Sequence, residues 1–438
     1  MPETTTRDAP ANNLIRSGVV YVVANTLAAG VPFFLLPVLT RTLRPEEYAV
    51  VVSFYMLVAL CAGFAGLSVQ SAVGVRWRSH AREDARHTTG SAIVVALIST
   101  AVAAAVSALV APRWLPELSP ALCAAAALVA GCTTLQAMRF AVWQSCQQPV
   151  PAAALQVSSA ALNIGLSLVA VLLLQMGGAG RALGAALAGV VAAAVSVLLL
   201  VWADRSAGLP RTADTRQLLR FGLPLLPHAV AGALLINVDR LAVANSEGAA
   251  ALGIYGAAAQ LGMVLNVLAD AAIKAYSPLF YRLLSRKTVR ARLQVVAISY
   301  ISVPVWIGMA LLLWLLLQGV GSWVLGSRYL QALDLSLWFL LGGAASAVYL
   351  NVAGLYFFSG KTEWISLATV SAAVLAFAAA TPLVAAHGVA GGAWAYVLAQ
   401  CGLLVLAWAL SLRVMPLPWS RPRVALRVLR RQLKGARQ

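Results

Sequence analysis

Five ionisable side chains interrupt otherwise apolar stretches of this chain and are well suited to bind a charged ligand at membrane depth. They are Arg139, Asp239, Arg240, Asp270 and Lys274. Placing such a group inside a bilayer costs about 2.5–3.5 kcal/mol on insertion scales, so each of them needs a partner or a task. The chemistry that they suit is ion pairing and the binding of anions or cations.

The spacing of these charges limits which of them can pair. Asp270 and Lys274 are four residues apart, on one helix face. They form either a structural ion pair or a charge pair that lines a cavity and is opened by a substrate or a coupling ion. Asp239 and Arg240 are adjacent, so on a helix they point about 100° apart and reach different partners. Arg139 has no acid within four residues.

Twelve apolar stretches carry these charges, and each is long enough to cross a bilayer as a helix of about 20 residues. They cover residues 18–40, 47–75, 90–111, 120–146, 152–175, 182–203, 222–246, 250–281, 294–318, 332–359, 364–386 and 389–413. We therefore predict an all-α polytopic membrane protein with about twelve transmembrane helices. The longest interior connection is too short for a soluble domain, which needs roughly 50 residues. Residues 1–17 are polar and show no cleavable signal peptide.

The composition agrees with a membrane protein. Hydrophobic residues make up 61% of the 438 residues, yet the net charge is +18. Because the positive charge is spread over the membrane borders, it argues against nucleic acid as a partner. The five cysteines lie within or at the ends of the spans and suit core packing. The four histidines lack ligand spacing, so we expect neither a metal site nor a cofactor.

Basic residues concentrate in every second connection, which predicts the topology. With the N-terminus in the cytoplasm, 24 lysines and arginines lie in inside segments. The outside segments hold five: Arg41, Arg44, Arg113, Arg181 and Arg328. Short cytoplasmic loops retain lysine and arginine, so this bias predicts that both termini are cytoplasmic.

A weak internal repeat divides the spans into two halves. Tyr48 and Tyr255 occupy corresponding places 207 residues apart, and residues 184–188 resemble residues 392–396 at an offset of 208. We predict an N-terminal tail, a six-helix N-lobe, a cytoplasmic linker, a six-helix C-lobe and a basic tail. Their boundaries are 1–17, 18–203, 204–221, 222–413 and 414–438. Two equally oriented lobes have a symmetry axis along the membrane normal, as in transporters that rock about a central cavity.

Each half also opens with two prolines. They are Pro32 and Pro37 in the first half, and Pro224 and Pro227 in the second. Proline in a membrane helix leaves backbone carbonyls without partners and introduces a bend. These prolines therefore either shape helix packing or serve as bending and gating points.

Longer segments resemble a known family. Residues 32–48 read PFFLLPVLTRTLRPEEY and resemble the opening of Wzx-type polysaccharide flippases, the lipid-linked oligosaccharide exporters of the MOP superfamily. Residues 221–240 and 252–281 resemble later parts of the same family, in the correct order. The resemblance implies a MATE-like fold. It also implies that undecaprenyl-pyrophosphate-linked sugars are moved from the cytoplasmic to the outer leaflet for O-antigen, capsule or exopolysaccharide synthesis. Alternating access through a cationic cavity needs no bond chemistry, so we expect no enzyme activity.

With that substrate, the residues in the spans acquire candidate roles. The candidates for binding diphosphate or sugar are Arg139, Arg240, Lys274, Gln70 and Asn25, and those for charge pairing or coupling are Asp239 and Asp270. Arg139 either snorkels to the headgroups or holds a diphosphate, since its planar donor group suits phosphate oxygens. Arg240 either stabilises the lobe interface or meets the substrate, with Asp239 orienting it or holding a cation.

Uncharged polar residues within the spans have two readings as well. They are Gln70 and Asn25, already named, together with Gln260, Asn266 and Asn351. Such side chains either hydrogen-bond between helices or line a path for the sugar. His228 either packs or takes part in proton coupling, because histidine titrates near neutral pH.

The C-terminal residues 421–438 carry seven positive charges and no acid. On a helix, one face holds Arg423, Arg427, Arg430, Arg431 and Lys434. This pattern is typical of an amphipathic helix on the anionic inner leaflet, the alternative being a disordered topology anchor. The tail thus predicts the inner leaflet of the plasma (inner) membrane as a partner, and the family resemblance implies a polyprenyl-linked glycan. Polysaccharide polymerases and glycosyltransferases are further candidates.

Two rival functions remain open. A multidrug or cation antiporter of the same superfamily needs acids to bind cations, whereas acids in these spans are few. A membrane-embedded polysaccharide polymerase usually carries a sizeable outside loop with catalytic residues. The outside loop at residues 112–119 holds only Arg113 and Glu117 as charged residues.

Overall fold

The computed structural model describes residues 11–79, 81–286 and 288–435, and their side chains except those of residues 11–23, 25, 79 and 429–435. The chain divides into two compact units. Unit 1 comprises residues up to Leu35 together with Ser53–Leu226. Unit 2 comprises Leu36–Val52 together with the residues from Pro227 onward.

Eight helices begin before Leu226, the last residue of unit 1. They are α1 (Ala11–Thr42), α2 (Pro45–Cys61), α3 (Val69–Ser79), α4 (Arg82–Val110), α5 (Pro120–Ser145), α6 (Pro149–Leu168), α7 (Gly177–Leu198) and α8 (Thr212–Gly222). Helices α6 and α7 each end in a π-helical turn, at Val169–Leu173 and Leu199–Ala203. A single 3₁₀ turn, Leu223–Leu225, leads from α8 into unit 2.

Five helices follow in unit 2. They are α9 (Leu226–Ser285), α10 (Val289–Val324), α11 (Gln331–Ser359), α12 (Thr362–Val414) and α13 (Pro422–Gly435). Helix starts follow local chemistry. Thr288 caps α10 by accepting the Ala291 N–H at 3.2 Å, and Ser119 caps α5 by accepting the Leu122 N–H at 3.3 Å. These caps satisfy backbone donors that have no partner inside the helix.

The number of membrane spans agrees with the sequence. Among the described residues, eight helices are long and apolar enough to cross a membrane. Two of these eight stretches, Thr212–Ser285 and Thr362–Val414, each contain two of the predicted spans. The remaining two predicted spans, 18–40 and 47–75, coincide with α1 and with α2 and α3. The prediction of about twelve transmembrane helices in an all-α protein is therefore confirmed.

Two long helical stretches are each interrupted by a kink at a single glycine. Gly248 in α9 has φ +82° and Gly388 in α12 has φ +59°. Only glycine adopts such values without a steric penalty on its side chain. The predicted span pairs 222–246 with 250–281 and 364–386 with 389–413 are thus separated by one residue of non-helical backbone.

The second predicted span, 47–75, is wrong as a single helix. It consists of α2 and α3 with a turn between them, in which Leu67 and Ser68 have φ of +47° and +55°. Gly63 and Gly66 precede them in this turn. Glycine weakens a continuing helix, which accounts for the break in an otherwise apolar stretch.

Helices α6 and α7 pack closely because α7 carries a glycine where they meet. A Cβ atom built on Gly184 would lie 2.8 Å from the backbone Cα and N of Ser167. Small residues at helix contacts allow such approach in membrane proteins. We expect Gly184→Ala to destabilise the protein by about 1–3 kcal/mol, because the helices must separate. Gly165→Ala, on α6 with nothing within 4 Å of the added Cβ, is the matched control. Thermal unfolding of the purified variants measures both, and equal stabilities would contradict the expectation.

Helix α13 packs against other residues of unit 2. Ala425 is fully buried in a cluster with Trp419 and Leu293, and the Tyr300 hydroxyl donates to the Trp419 carbonyl at 2.9 Å. Arg423 and Arg427 are exposed. Arg430, Arg431 and Lys434 of the predicted basic face lie outside the described side chains.

Candidate functional site

Arg139 on α5 is buried in unit 1 with an acidic partner. Its side chain is 1% exposed, and its Nη2 donates to Oδ2 of Asp204. The guanidinium carbon lies 3.8 Å from the centre of the Trp143 ring, one turn along the same helix. Nε and Nη1 are buried without a hydrogen-bond partner among the described residues. Two N–H groups of this buried arginine are therefore unused, and burial keeps water away from them.

Asp204 was missed by the sequence reasoning, which searched only for acids near Arg139 along the chain. It lies 65 residues later and directly follows the π-helical turn of α7. Its N–H donates to the Leu199 carbonyl at 3.0 Å, in the π-helical pattern. The side chain is 42% exposed, so this carboxylate reaches the surface while its partner does not.

The segment that carries Asp204 is fixed to the start of α4. The Gly208 N–H donates to the Arg86 carbonyl at 2.8 Å, and His87 Nδ1 donates to the Leu209 carbonyl at 2.8 Å. The Arg211 N–H donates to Ser91 Oγ at 2.9 Å. The linker is therefore held against unit 1.

The amides near Arg139 on α5 and the amide candidates Gln70 and Asn25 have other environments. Gln136 Nε2 donates to the Cys132 carbonyl at 3.3 Å, and Gln144 is exposed. Gln70 is half-buried, and its Oε1 has no hydrogen-bond partner in the described part of the chain. The side chain of Asn25 lies outside the described residues.

Arg181 is a second buried arginine of unit 1, and its observed position differs from the one predicted from the sequence. It was expected in an outside connection, but it lies in the second turn of α7 and is 3% exposed. Its Nη1 donates to Asn163 Oδ1 and to Ser167 Oγ, both at 2.8 Å. The guanidinium carbon lies 5.1 Å from the centre of the Tyr55 ring. The reason for the difference is that α7 begins at Gly177, five residues before the predicted span.

The adjacent charges of unit 2 have separate partners, as their spacing predicts. Asp239 is 1% exposed and accepts a hydrogen bond from the Tyr255 hydroxyl at 2.5 Å. Its Oδ1 is buried with no hydrogen-bond partner among the described residues. Arg240 is half-buried and donates through Nη1 to Asn237 Oδ1 at 2.7 Å. Asp239 is therefore a buried carboxylate with one unused oxygen.

Asp270 and Lys274 form the local ion pair that the sequence suggests. Lys274 Nζ lies 2.5 Å from Asp270 Oδ2, and the two side chains are 48% and 58% exposed. A pair this exposed contributes little to stability. Its role in a substrate path stays a prediction.

The remaining polar candidates differ in whether they form hydrogen bonds between helices. Asn351 bonds between helices, since it accepts from the Tyr276 hydroxyl and donates to Ser302 Oγ at 2.9 Å. Gln260 Nε2 and His228 Nδ1 are buried without hydrogen-bond partners in the described residues. Asn266 is half-buried.

The two proline pairs occupy different local positions. Pro32 and Pro37 lie within the continuous helix α1, whereas Pro224 lies in the 3₁₀ turn and Pro227 in the first turn of α9. At a helix start the missing N–H of proline removes no hydrogen bond. A gating role for any of the four stays a prediction.

Comparison with known proteins identifies the family and the fold. The profile of a family described as "Polysaccharide biosynthesis protein" matches residues 14–284. An Lsg locus protein of Haemophilus influenzae is 29% identical over 160 residues, which cover 36% of this chain and 39% of the relative. An uncharacterized membrane protein of the same organism is 23% identical over 413 residues, 92% of this chain and 98% of the relative.

Solved structures share the architecture at low identity. The lipid II flippase MurJ in an inward closed conformation superposes with a TM-score of 0.70 at 13% identity, covering 90% of this chain and 87% of that one. An inward-facing multidrug resistance MATE transporter of the MOP superfamily gives a TM-score of 0.63 at 16% identity, covering 90% and 94%. The chain therefore has the MATE-like fold and belongs to the polysaccharide biosynthesis protein family, as its resemblance to Wzx-type flippases indicates.

Proposed function

We propose that this protein flips an undecaprenyl-pyrophosphate-linked oligosaccharide from the cytoplasmic to the outer leaflet of the inner membrane. Family membership and the MOP-type fold support a multi-pass membrane flippase or transporter that acts in polysaccharide biosynthesis. The lipid-linked substrate, its use in O-antigen, capsule or exopolysaccharide, and alternating access between the lobes at 18–203 and 222–413 are the finer parts of the proposal.

The observation that carries the substrate class is the environment of Arg139. A planar guanidinium binds two oxygens of a phosphate side by side, and such charge-assisted bonds are strong where water is excluded. Here Nε and Nη1 are unused and buried, and Nη2 is held by a single carboxylate oxygen. Asp204 supplies an oxyanion where a phosphate oxygen would bind. Because Asp204 is 42% exposed, a diphosphate arriving from that side meets the carboxylate first and replaces it.

The charges of unit 2 suit a coupling role. Asp239 has one oxygen bonded by Tyr255 and one free, so it can accept a proton or a small cation without rearranging its first partner. Movement of one charge through a potential of 100 mV is worth about 2.3 kcal/mol, enough to bias a transport cycle. Arg240 then meets the substrate, and Asp270 with Lys274 forms a pair that the substrate opens.

The orientation and the tail complete the proposal. The distribution of basic residues supports cytoplasmic termini, and in that orientation Asp204 and α13 would lie at the cytoplasmic side. Exposed Arg423 and Arg427 on a docked helix suit the anionic inner leaflet.

Reconstitution tests the function directly. Purified protein in liposomes that contain undecaprenyl-pyrophosphate-linked glycan should increase the fraction of glycan that a lectin reaches outside the vesicles. Liposomes without protein give the background, and liposomes with the variant Arg78→Gln, an exposed arginine of α3, show the effect of an unrelated charge loss. Transfer at the background rate by the wild-type protein would sink the proposal.

A second candidate, a multidrug or cation antiporter, is favoured by one observation. The free oxygen of buried Asp239 is the kind of group that such antiporters use to hold a cation. Binding measurements on the purified protein separate the two functions. Saturable binding of organic cations, with none for prenyl pyrophosphates, would support the antiporter and reverse our assignment.

A further inference from the structure

Arg181 carries a positive charge that no described acid of unit 1 neutralises. Arg139 and Arg211 of the same unit form ion pairs, with Asp204 and Asp84, but Arg181 forms none with the described residues. Both of its hydrogen-bond acceptors, on Asn163 and Ser167, are neutral. A buried guanidinium at membrane depth without a counter-charge is costly, so it is expected to serve an anionic ligand.

The neighbours of Arg181 form a rigid and partly accessible cluster. Ser167 is fully buried and lies where Gly184 brings α7 against α6, which fixes the guanidinium. Asn163 is partly exposed and provides the approach. The Tyr55 hydroxyl is buried and lies in hydrogen-bonding contact with Asn163 and Arg181. The cluster thus combines a fixed cation with neighbouring amide and hydroxyl donors, which are the groups that an oxyanion needs.

Arg181 and the partner of Arg139 lie near opposite ends of α7. Arg181 lies near the start of the helix, and Asp204, the partner of Arg139, follows its end. An offset of 23 positions corresponds to a rise of about 35 Å along a helix, close to the roughly 30 Å of a hydrocarbon core. A π-helical turn lies beside each arginine, Val169–Leu173 after Ser167 and Leu199–Ala203 before Asp204. Such turns recur at functional sites.

We propose that Arg181, Asn163 and Tyr55 form a second oxyanion site, on the side of the membrane opposite to Arg139. It takes either the pyrophosphate of the lipid carrier as the carrier completes its passage or the carboxylate of an acidic sugar in the glycan. The assignment rests on the proposed flippase function. Each face of unit 1 then has one arginine for the anion, the first covered by Asp204 and the second free of a competing carboxylate.

Equilibrium binding to the full-length protein in nanodiscs tests this site, with farnesyl pyrophosphate and sodium glucuronate as probes. The wild type should bind two farnesyl pyrophosphates, and Arg139→Gln and Arg181→Gln should each retain one. Affinity at the lost site should fall by about tenfold to hundredfold. Arg113→Gln, an exposed arginine of the same unit, should bind like the wild type. If the wild type binds one farnesyl pyrophosphate, and Arg181→Gln keeps it but loses glucuronate binding, the acidic sugar is the ligand.

The possible outcomes distinguish failure of the Arg181 site from failure of the proposed flippase function. Two pyrophosphates and unchanged glucuronate binding in Arg181→Gln would overturn the second site and leave the flippase intact. Absence of binding by the wild type would overturn both. Arg181→Lys keeps the charge, so it tests the site if Arg181→Gln does not fold. Lysine lacks the planar pair of donors, so the affinity of this site should fall about tenfold. Wild-type affinity for both probes in the lysine variant would also refute the site.

Discussion

The Arg139→Gln variant is expected to lose about 100-fold or more of glycan export, because it would remove together the two charge-assisted bonds that we propose for the diphosphate. Export is measured as surface glycan per cell, and lipid-linked glycan should accumulate inside. Protein level in the membrane should stay normal, since glutamine buries no charge and the partly exposed Asp204 can be solvated instead. Arg78→Gln, an exposed arginine of α3, is the matched control and should export normally.

Substitution of Asp204, the partner of Arg139, gives a second test of the pair. Asp204→Asn leaves a guanidinium that is 1% exposed without a counter-charge, so this variant should be less stable than the double variant Arg139→Gln/Asp204→Asn. The exposure of Asp204 reduces the effect below that of a fully buried pair. Normal export by Arg139→Gln would remove Arg139 from the substrate path, whatever the stabilities.

The Tyr255→Phe variant should be destabilised by about 1–3 kcal/mol, because it leaves the buried carboxylate of Asp239 without its hydrogen-bond donor. Asp239→Leu should be destabilised as well, since it leaves the Tyr255 hydroxyl unpaired. The double variant should be more stable than the sum of the two losses predicts, because the pair is removed as a unit. Thermal unfolding of the four proteins in detergent measures the coupling.

Tyr281→Phe provides the control for Tyr255→Phe. Tyr281 lies on the same helix, is exposed and stacks on Phe358, and it keeps that stacking as phenylalanine. Its unfolding should match that of the wild type. Additive losses at Asp239 and Tyr255 would show that the hydrogen bond between them contributes nothing, and the coupling role of Asp239 would lose its structural basis.

The sequence predicted those features that repeat along the chain. Apolar stretches of 20 residues locate the spans because lipid contact acts on every residue of a helix. The pair Asp270–Lys274 was predictable because its spacing is local. The separate partners of Asp239 and Arg240 followed from the helical turn alone, although neither Tyr255 nor Asn237 could be named.

Contacts between distant residues could not be read in the same way. Asp204 meets Arg139 only because α5 and α7 pack together, and no periodicity relates two residues 65 positions apart. Arg181 counted as an external charge because only five residues separate the predicted start of its span from the start of α7. A helix that begins one turn earlier moves a side chain from water into protein, a difference smaller than the uncertainty of any hydropathy boundary.

The single-residue interruptions at Gly248 and Gly388 have a consequence for proteolysis. Helical segments that are joined through one non-helical residue leave almost no extended chain between them. A protease needs several extended residues in its cleft. Unit 2 offers no such extended stretch at these two glycines, so limited proteolysis should leave both helical stretches intact.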